Sequence, residues 1–216
     1  MDDGSYRDAI AVIVGTRPEV VKMAPLIILL ERSTLPFIFV HTGQHFDYAL
    51  SGQFIHELGL PQPHVHLRFN AKLPAEQVAK MMILTEKILL KWRPQLLLIQ
   101  GDTNAMLASA LAAFKQRIEV AHVEAGLRSC DLTMPEEHNR RMVDHASSYL
   151  FAPTRQSKEN LVSEKAPGEI FEVGNTVIDA LVKYMPYAEK ESRIIQKLNH
   201  DQYILATFHR PENVDE

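Results

Sequence analysis

Between residues 10 and 173 the sequence repeats one rhythm: a short apolar run, a glycine or polar turn, then a longer stretch with helical spacing. Runs at 10–14, 37–41, 65–67, 96–99, 119–123, 149–152 and 170–173 are too short for buried helices and read as strands. Helical stretches separate them at about 17–30, up to 58, 75–92, 104–115, 136–147, 156–162 and from 174 onward. Six or seven strand–helix units in succession predict an α/β fold, a parallel sheet with helices on both faces. Ligands of such sheets bind beyond the carboxyl ends of the strands, so the residues just after each apolar run deserve inspection.

The first run ends in Gly15-Thr16-Arg17-Pro18-Glu19. Thr16 caps a helix, Pro18 suits its first turn and Glu19 complements its dipole. A helix start also favours anions; Arg17 offers a planar fork, and Lys22 leans back towards the helix start. An ordinary cap with Lys22 paired to Glu19 accounts for the same residues. Pro25 falls inside this helix, where a proline bends the backbone. Gln44 and His45 follow the second run, either at the rim of a cleft or in a plain polar loop. After the fourth run, Gly101 allows a sharp turn, and Asp102 and Thr103 either cap the next helix or present a carboxylate to the cleft.

Glu124 follows the fifth run beside a glycine turn, a poor place for a carboxylate unless it has a partner. Arg128 could supply one, which would make the pair structural. Pro135 opens a helix in which Glu136–Arg140 and Glu137–Arg141 have ion-pair spacing. Together Asp102, Glu124 and Glu136 gather at one sheet edge with Arg17 and Lys22 beside them, as acid–base chemistry on a phosphorylated ligand would require.

Composition removes competing classes. Twenty-seven acidic residues against 23 Lys and Arg give a net charge of −4, unlike a nucleic-acid-binding surface. One cysteine, Cys130, forbids an intrachain disulfide and a zinc deaminase site, which needs two more ligands of the P-C-x-x-C type. His64 and His66 lack a third ligand nearby, so no metal is expected. With no apolar stretch near the ~18 residues of a membrane span and no apolar leader, the expected setting is the cytoplasm, with no membrane partner.

The motifs G-T-R-P-E-x-x-K-M-A-P-L, T-G-Q-H, Q-G-D-T, H-V-E-A-G-L-R-S, M-P-E-E-x-N-R, G-N-T-V-I-D-A and H-R-x-E-N occur in this order from residue 15 to residue 213. In that order and spacing the chain resembles the non-hydrolysing UDP-N-acetylglucosamine 2-epimerases, and Phe46-Asp47-Tyr48 is similar to archaeal members. The resemblance implies one Rossmann-like half of a GT-B-like two-domain fold. It implies interconversion of UDP-N-acetylglucosamine and UDP-N-acetylmannosamine, a precursor of cell-surface glycans, by elimination and re-addition of UDP without a cofactor. Asp102, Glu124 and Glu136 would be the acid–base carboxylates, and His209 would contact the diphosphate or assist the leaving group. Arg17, Lys22 and Arg210 would support substrate binding. Gln44 and His45 fall where bacterial members have an allosteric UDP-N-acetylglucosamine site.

On the same grounds residues 1–186 form the N-terminal domain. Residues 187–216 form a charged connector helix and the first strand, from 203, of a truncated second domain. A homodimer is expected, and a separate C-terminal half is the partner such a chain would need. Two other functions stay open: a nucleotide-sugar-binding or regulatory module without turnover, and a hydrolysing 2-epimerase.

Overall fold

The computed structural model describes residues 8–43, 48–198 and 202–206. Seven strands form one sheet: β1 (Ile10–Val14), β2 (Phe37–His41), β3 (Val65–His66), β4 (Leu96–Gln100), β5 (Glu119–Val123), β6 (Tyr149–Ala152) and β7 (Glu169–Glu172). All pairings are parallel, in the order β3-β2-β1-β4-β5-β6-β7. The order reverses between β1 and β4, which opens a crevice at their carboxyl ends.

The strands read as continuous apolar runs because both faces are covered. Ala11, Ile13, Ile38, Val40, Leu97 and Ile99 belong to one core cluster. On that face α3 (Pro74–Trp92), α4 (Asn104–Lys115) and α5 (Pro135–Ala146) pack side by side. Val12, Val14 and Phe39, which alternate with that set, are equally buried. There α1 (Arg17–Arg32) packs on β1 and β2. The alanines of α4 explain its central place: Ala105, Ala108, Ala110, Ala112 and Ala113 are buried, letting neighbouring backbones approach closely. α2 (Tyr48–Glu57) and α6 (Arg155–Ser163) complete the crossovers up to β7.

From β1 to β7 the expected elements are therefore present, with ends shifted by a residue or two. α1 passes through Pro25 and remains one helix. Among the described residues no helix is long and apolar enough to cross a membrane.

The chain divides into two compact units, Met1–Leu181 and Val182–Glu216. α7 (Thr176–Glu191) does not restart at residue 187 as the charged connector was expected to; it continues through Pro186. The carbonyl that Pro186 leaves unbonded belongs to Val182, 71% exposed and open to water. α8 (Ile194–Lys197) follows. The strand expected from 203 is absent from 203–206, which has no regular structure and lies exposed. A strand exists only by pairing its backbone groups with another, and apolar sequence alone does not make one.

Candidate active-site cleft

A cleft of about 210 Å³ lies at the switch point, walled by the ends of β4 and β5, the first turns of α1 and the start of α5. Lys22, Gln100, Asp102, His122, Glu124 and Arg140 line it.

Among the described residues that line it, Glu124 has the most side-chain partners. It follows β5 with φ +71°, a left-handed conformation that costs a non-glycine residue about 1–2 kcal/mol. The carboxylate is held on three sides. Lys22 Nζ donates to Oε1 at 3.0 Å and to Oε2 at 2.7 Å. Gln100 Nε2 also donates to Oε2, and Asn175 Nδ2 donates to Oε1 at 3.2 Å. Lys22 is 26% exposed and Glu124 10%, so the pair remains open to the cleft. Asp102, 30% exposed, pairs with Arg140, and Asn139 Nδ2 donates to its carbonyl at 2.9 Å. Gln100 Oε1 and Arg140 Nε are buried with no hydrogen-bond partner among the described residues: an acceptor and a donor in the cleft wall.

The charges do not pair as sequence spacing suggested. Lys22 does not meet Glu19. Glu19 closes a capping box instead: its Oε2 accepts from Gly15 N–H at 2.7 Å and Thr16 N–H at 2.8 Å. Thr103 Oγ1 donates to Oε1 at 2.8 Å. Burial raises the Glu19 carboxyl above its ordinary range, against the opposing pull of these donors. Of the two readings of this helix start, the ordinary cap is thus the one that forms, with the amides of Gly15 and Thr16, just ahead of α1, bonded to the chain's own carboxylate.

Arg128 does not meet Glu124 either. It donates to Asp144 Oδ2 at 2.8 Å and reaches Glu164 at 2.6 Å. Burial pushes Arg128 down, but the Glu164 and Asp144 carboxylates more than reverse this and raise it. Asp144 is fully buried; its Oδ2 also accepts from Gly126 N–H at 3.2 Å, and its Oδ1 faces His122 Nδ1 at 2.7 Å. Burial pushes its carboxyl up, yet His122 and Arg128 outweigh that and hold it below the usual range. A buried charged layer therefore lies under the cleft.

On α5 the Glu137–Arg141 pair forms, Nε to Oε1 at 3.0 Å. Glu137 is buried and accepts from Ser129 N–H and Oγ, both at 2.9 Å. Burial pushes its carboxyl up, but Ser129 and Arg141 bring it below the ordinary range. Arg140 turns to Asp102, and Glu136 is exposed and does not line the cleft. Arg17 is exposed at the start of α1. Gln44, His45, His209 and Arg210 lie outside the described residues.

The structure thus brings together Asp102, Glu124 and Lys22, as anticipated, and adds Gln100, Arg140, Asn175 and His122. Gln100 ended an apolar run and Asn175 opened a helix, so each had a local explanation that hid its contact with Glu124. Among the described residues no group of three or more His, Cys, Asp or Glu could hold a metal ion.

A family model described as UDP-N-acetylglucosamine 2-epimerase matches residues 29–216. A UDP-N-acetylglucosamine 2-epimerase of Methanocaldococcus jannaschii is 46% identical over 211 residues, 95% of this chain and 58% of the relative. One from Methanococcus maripaludis is 43% identical, covering 95% of this chain and 57% of the relative. The crystal structure of the M. jannaschii enzyme in complex with UDP-GlcNAc and UDP superposes with a TM-score of 0.89 at 46% identity. That match covers 96% of this chain and 58% of the other. The chain therefore spans somewhat more than half the length of the relatives it matches.

Proposed function

Given that this chain belongs to the UDP-N-acetylglucosamine 2-epimerase family, with one Rossmann-like half of a GT-B-like fold, we propose that it carries the acid–base wall of an enzyme interconverting UDP-N-acetylglucosamine and UDP-N-acetylmannosamine. The observation that carries this is the pair of cleft carboxylates, Glu124 held by Lys22 and Asp102 held by Arg140.

The chemistry asks for such a pair. The C2 proton is not next to a carbonyl, so removing it alone would leave an unstabilised carbanion. Elimination avoids that: a base takes the C2 proton, the C–H electrons form the C1=C2 bond, and the C1–O bond breaks to release UDP. In return, UDP oxygen bonds C1 and a proton arrives at the opposite face of C2. Two proton-transfer groups on different sides of the sugar are needed, and Asp102 and Glu124 are assigned those tasks. Lys22 and Arg140 supply positive charge near the departing diphosphate. Arg17 joins Lys22 in substrate binding. His209 and Arg210 enter through the resemblance alone, as do an allosteric role for Gln44 and His45 and a homodimer; Glu136, a cytoplasmic setting and a boundary between domains at 186 rest on the reading of the sequence.

Proton NMR in deuterated water tests the proposal, using the chain with UDP-N-acetylglucosamine, alone and with a separately supplied C-terminal half. Loss of the C2 proton signal with growth of the manno isomer is expected. Binding without exchange in either mixture would instead assign a nucleotide-sugar-binding module, and accumulation of free N-acetylmannosamine a hydrolysing enzyme.

A further inference from the structure

His122 does not touch the proposed reacting groups, yet both loops that carry them hang from it and its partner. The imidazole is 1% exposed. Its Nδ1 faces Asp144 Oδ1 at 2.7 Å, and its Nε2 faces the Gly101 carbonyl at 2.9 Å. Gly101 immediately precedes Asp102. On the other side, Asp144 Oδ2 binds the amide of Gly126, two residues after Glu124. Arg128 locks Asp144 from below. One buried pair, reached from β5 and α5, therefore bonds to the backbone of the Asp102 loop and of the Glu124 loop.

We infer that the His122–Asp144 pair is a positioning element that fixes Asp102 relative to Glu124 across the cleft; this rests on the acid–base assignment above. The loops need such a tie. Glu124 has φ +71°, a conformation its own side chain does not favour, and Gly101, at φ +86°, is a glycine with no side chain to anchor its turn. Gly101 N–H reaches Val123 O only at 3.4 Å, a weak bond between the two loops. One ring nitrogen of His122 faces the Asp144 carboxylate and the other the Gly101 carbonyl, so the ring bridges a buried side chain and the backbone of the Asp102 loop.

Two substitutions separate its two bonds. In His122→Asn the amide reaches the Nδ1 position and keeps Asp144 but loses Gly101. In His122→Gln the amide reaches the Nε2 position and keeps Gly101. The wild-type chain and both variants are compared by C2-proton exchange, under the conditions of the functional test, and by backbone hydrogen exchange of the 101–106 segment. The expected result is that His122→Asn lowers kcat about 10- to 100-fold with KM changed less than about threefold, because a misplacement near 1 Å has that effect on turnover. It also speeds hydrogen exchange at 101–106, and His122→Gln restores most of both. Equal kcat in all three proteins, or losses that merely track the folded fraction, would overturn the inference. If the wild-type mixture shows no C2 exchange, the proposed function fails. Hydrogen exchange at 101–106 then decides the positioning role by itself, and equal rates in the two variants refute it.

Discussion

Two layers of charge at the same end of the sheet use the same residue types in different ways. In the cleft, Lys22–Glu124 and Arg140–Asp102 keep exposed atoms, and each carboxylate can exchange a protein donor for a ligand. Behind the cleft wall, Asp144 is fully buried and shared among His122, Arg128 and Gly126. The upper layer can do chemistry because its partners are replaceable. The lower layer cannot, because its carboxylate is closed off from solvent and every partner it has belongs to the protein. A charged pair at a strand end is therefore not evidence of catalysis until its access to the cleft is known.

The contrast breaks most sharply at Glu124. Glu124→Gln keeps the shape and is expected to lower epimerisation about 10²- to 10⁴-fold, the usual weight of one acid–base group, with the melting temperature nearly unchanged. A parallel fall in thermal stability would move Glu124 into the structural layer. The mirror experiment is Asp144→Ala, which takes the shared buried carboxylate from His122, Arg128 and Gly126 and is expected to cost about 3–5 kcal/mol in urea unfolding. A loss below about 1 kcal/mol would show that the buried layer is not what holds the two loops.

Acid sharpens the comparison further. The folded-state carboxyls of Asp144 and Glu137 lie below their ordinary range. Their stabilisation is thus present above the unfolded values near pH 4 and disappears as pH falls through the folded ones. Glu19 is raised, so its sign is opposite: it favours the fold below its unfolded value and withdraws that support as pH rises through the folded value. Urea midpoints measured from pH 3 to 7 should fall at the acid end in the wild type and flatten in Asp144→Asn. In Glu19→Gln the midpoint should gain relative to wild type as pH rises. The smallest effect is at the α1 cap: Thr16→Ala removes the oxygen that accepts from Glu19 N–H and is expected to cost about 1 kcal/mol. Turnover per folded molecule should stay within about twofold, since Glu19 still bonds Thr103.

Much of this was legible before any coordinates. Runs such as 37–41 are apolar throughout because a parallel strand is buried on both faces, and that signal is local. Asp102 and Glu124 were legible because polar residues directly after such runs stand at the ligand-binding edge. The contacts of Gln100 and Asn175 were not, since 24 and 51 residues separate them from Glu124. The partner of Arg128 was not legible either: the sequence offered it to Glu124. β5 has already ended there, and the glycine turn sends Arg128 down to Asp144 instead.

By itself, then, the sequence determined the strands, the helices, the parallel sheet and which strand ends carry carboxylates, because backbone propensity and apolar periodicity act over a few residues. Only the tertiary structure decided which charge meets which. Lys22 goes to Glu124 across 102 residues while Glu19, three positions away, turns to the backbone. Ion pairing depends on distance in space and on burial, and neither is fixed until the loops at β1, β4 and β5 have been brought to one edge.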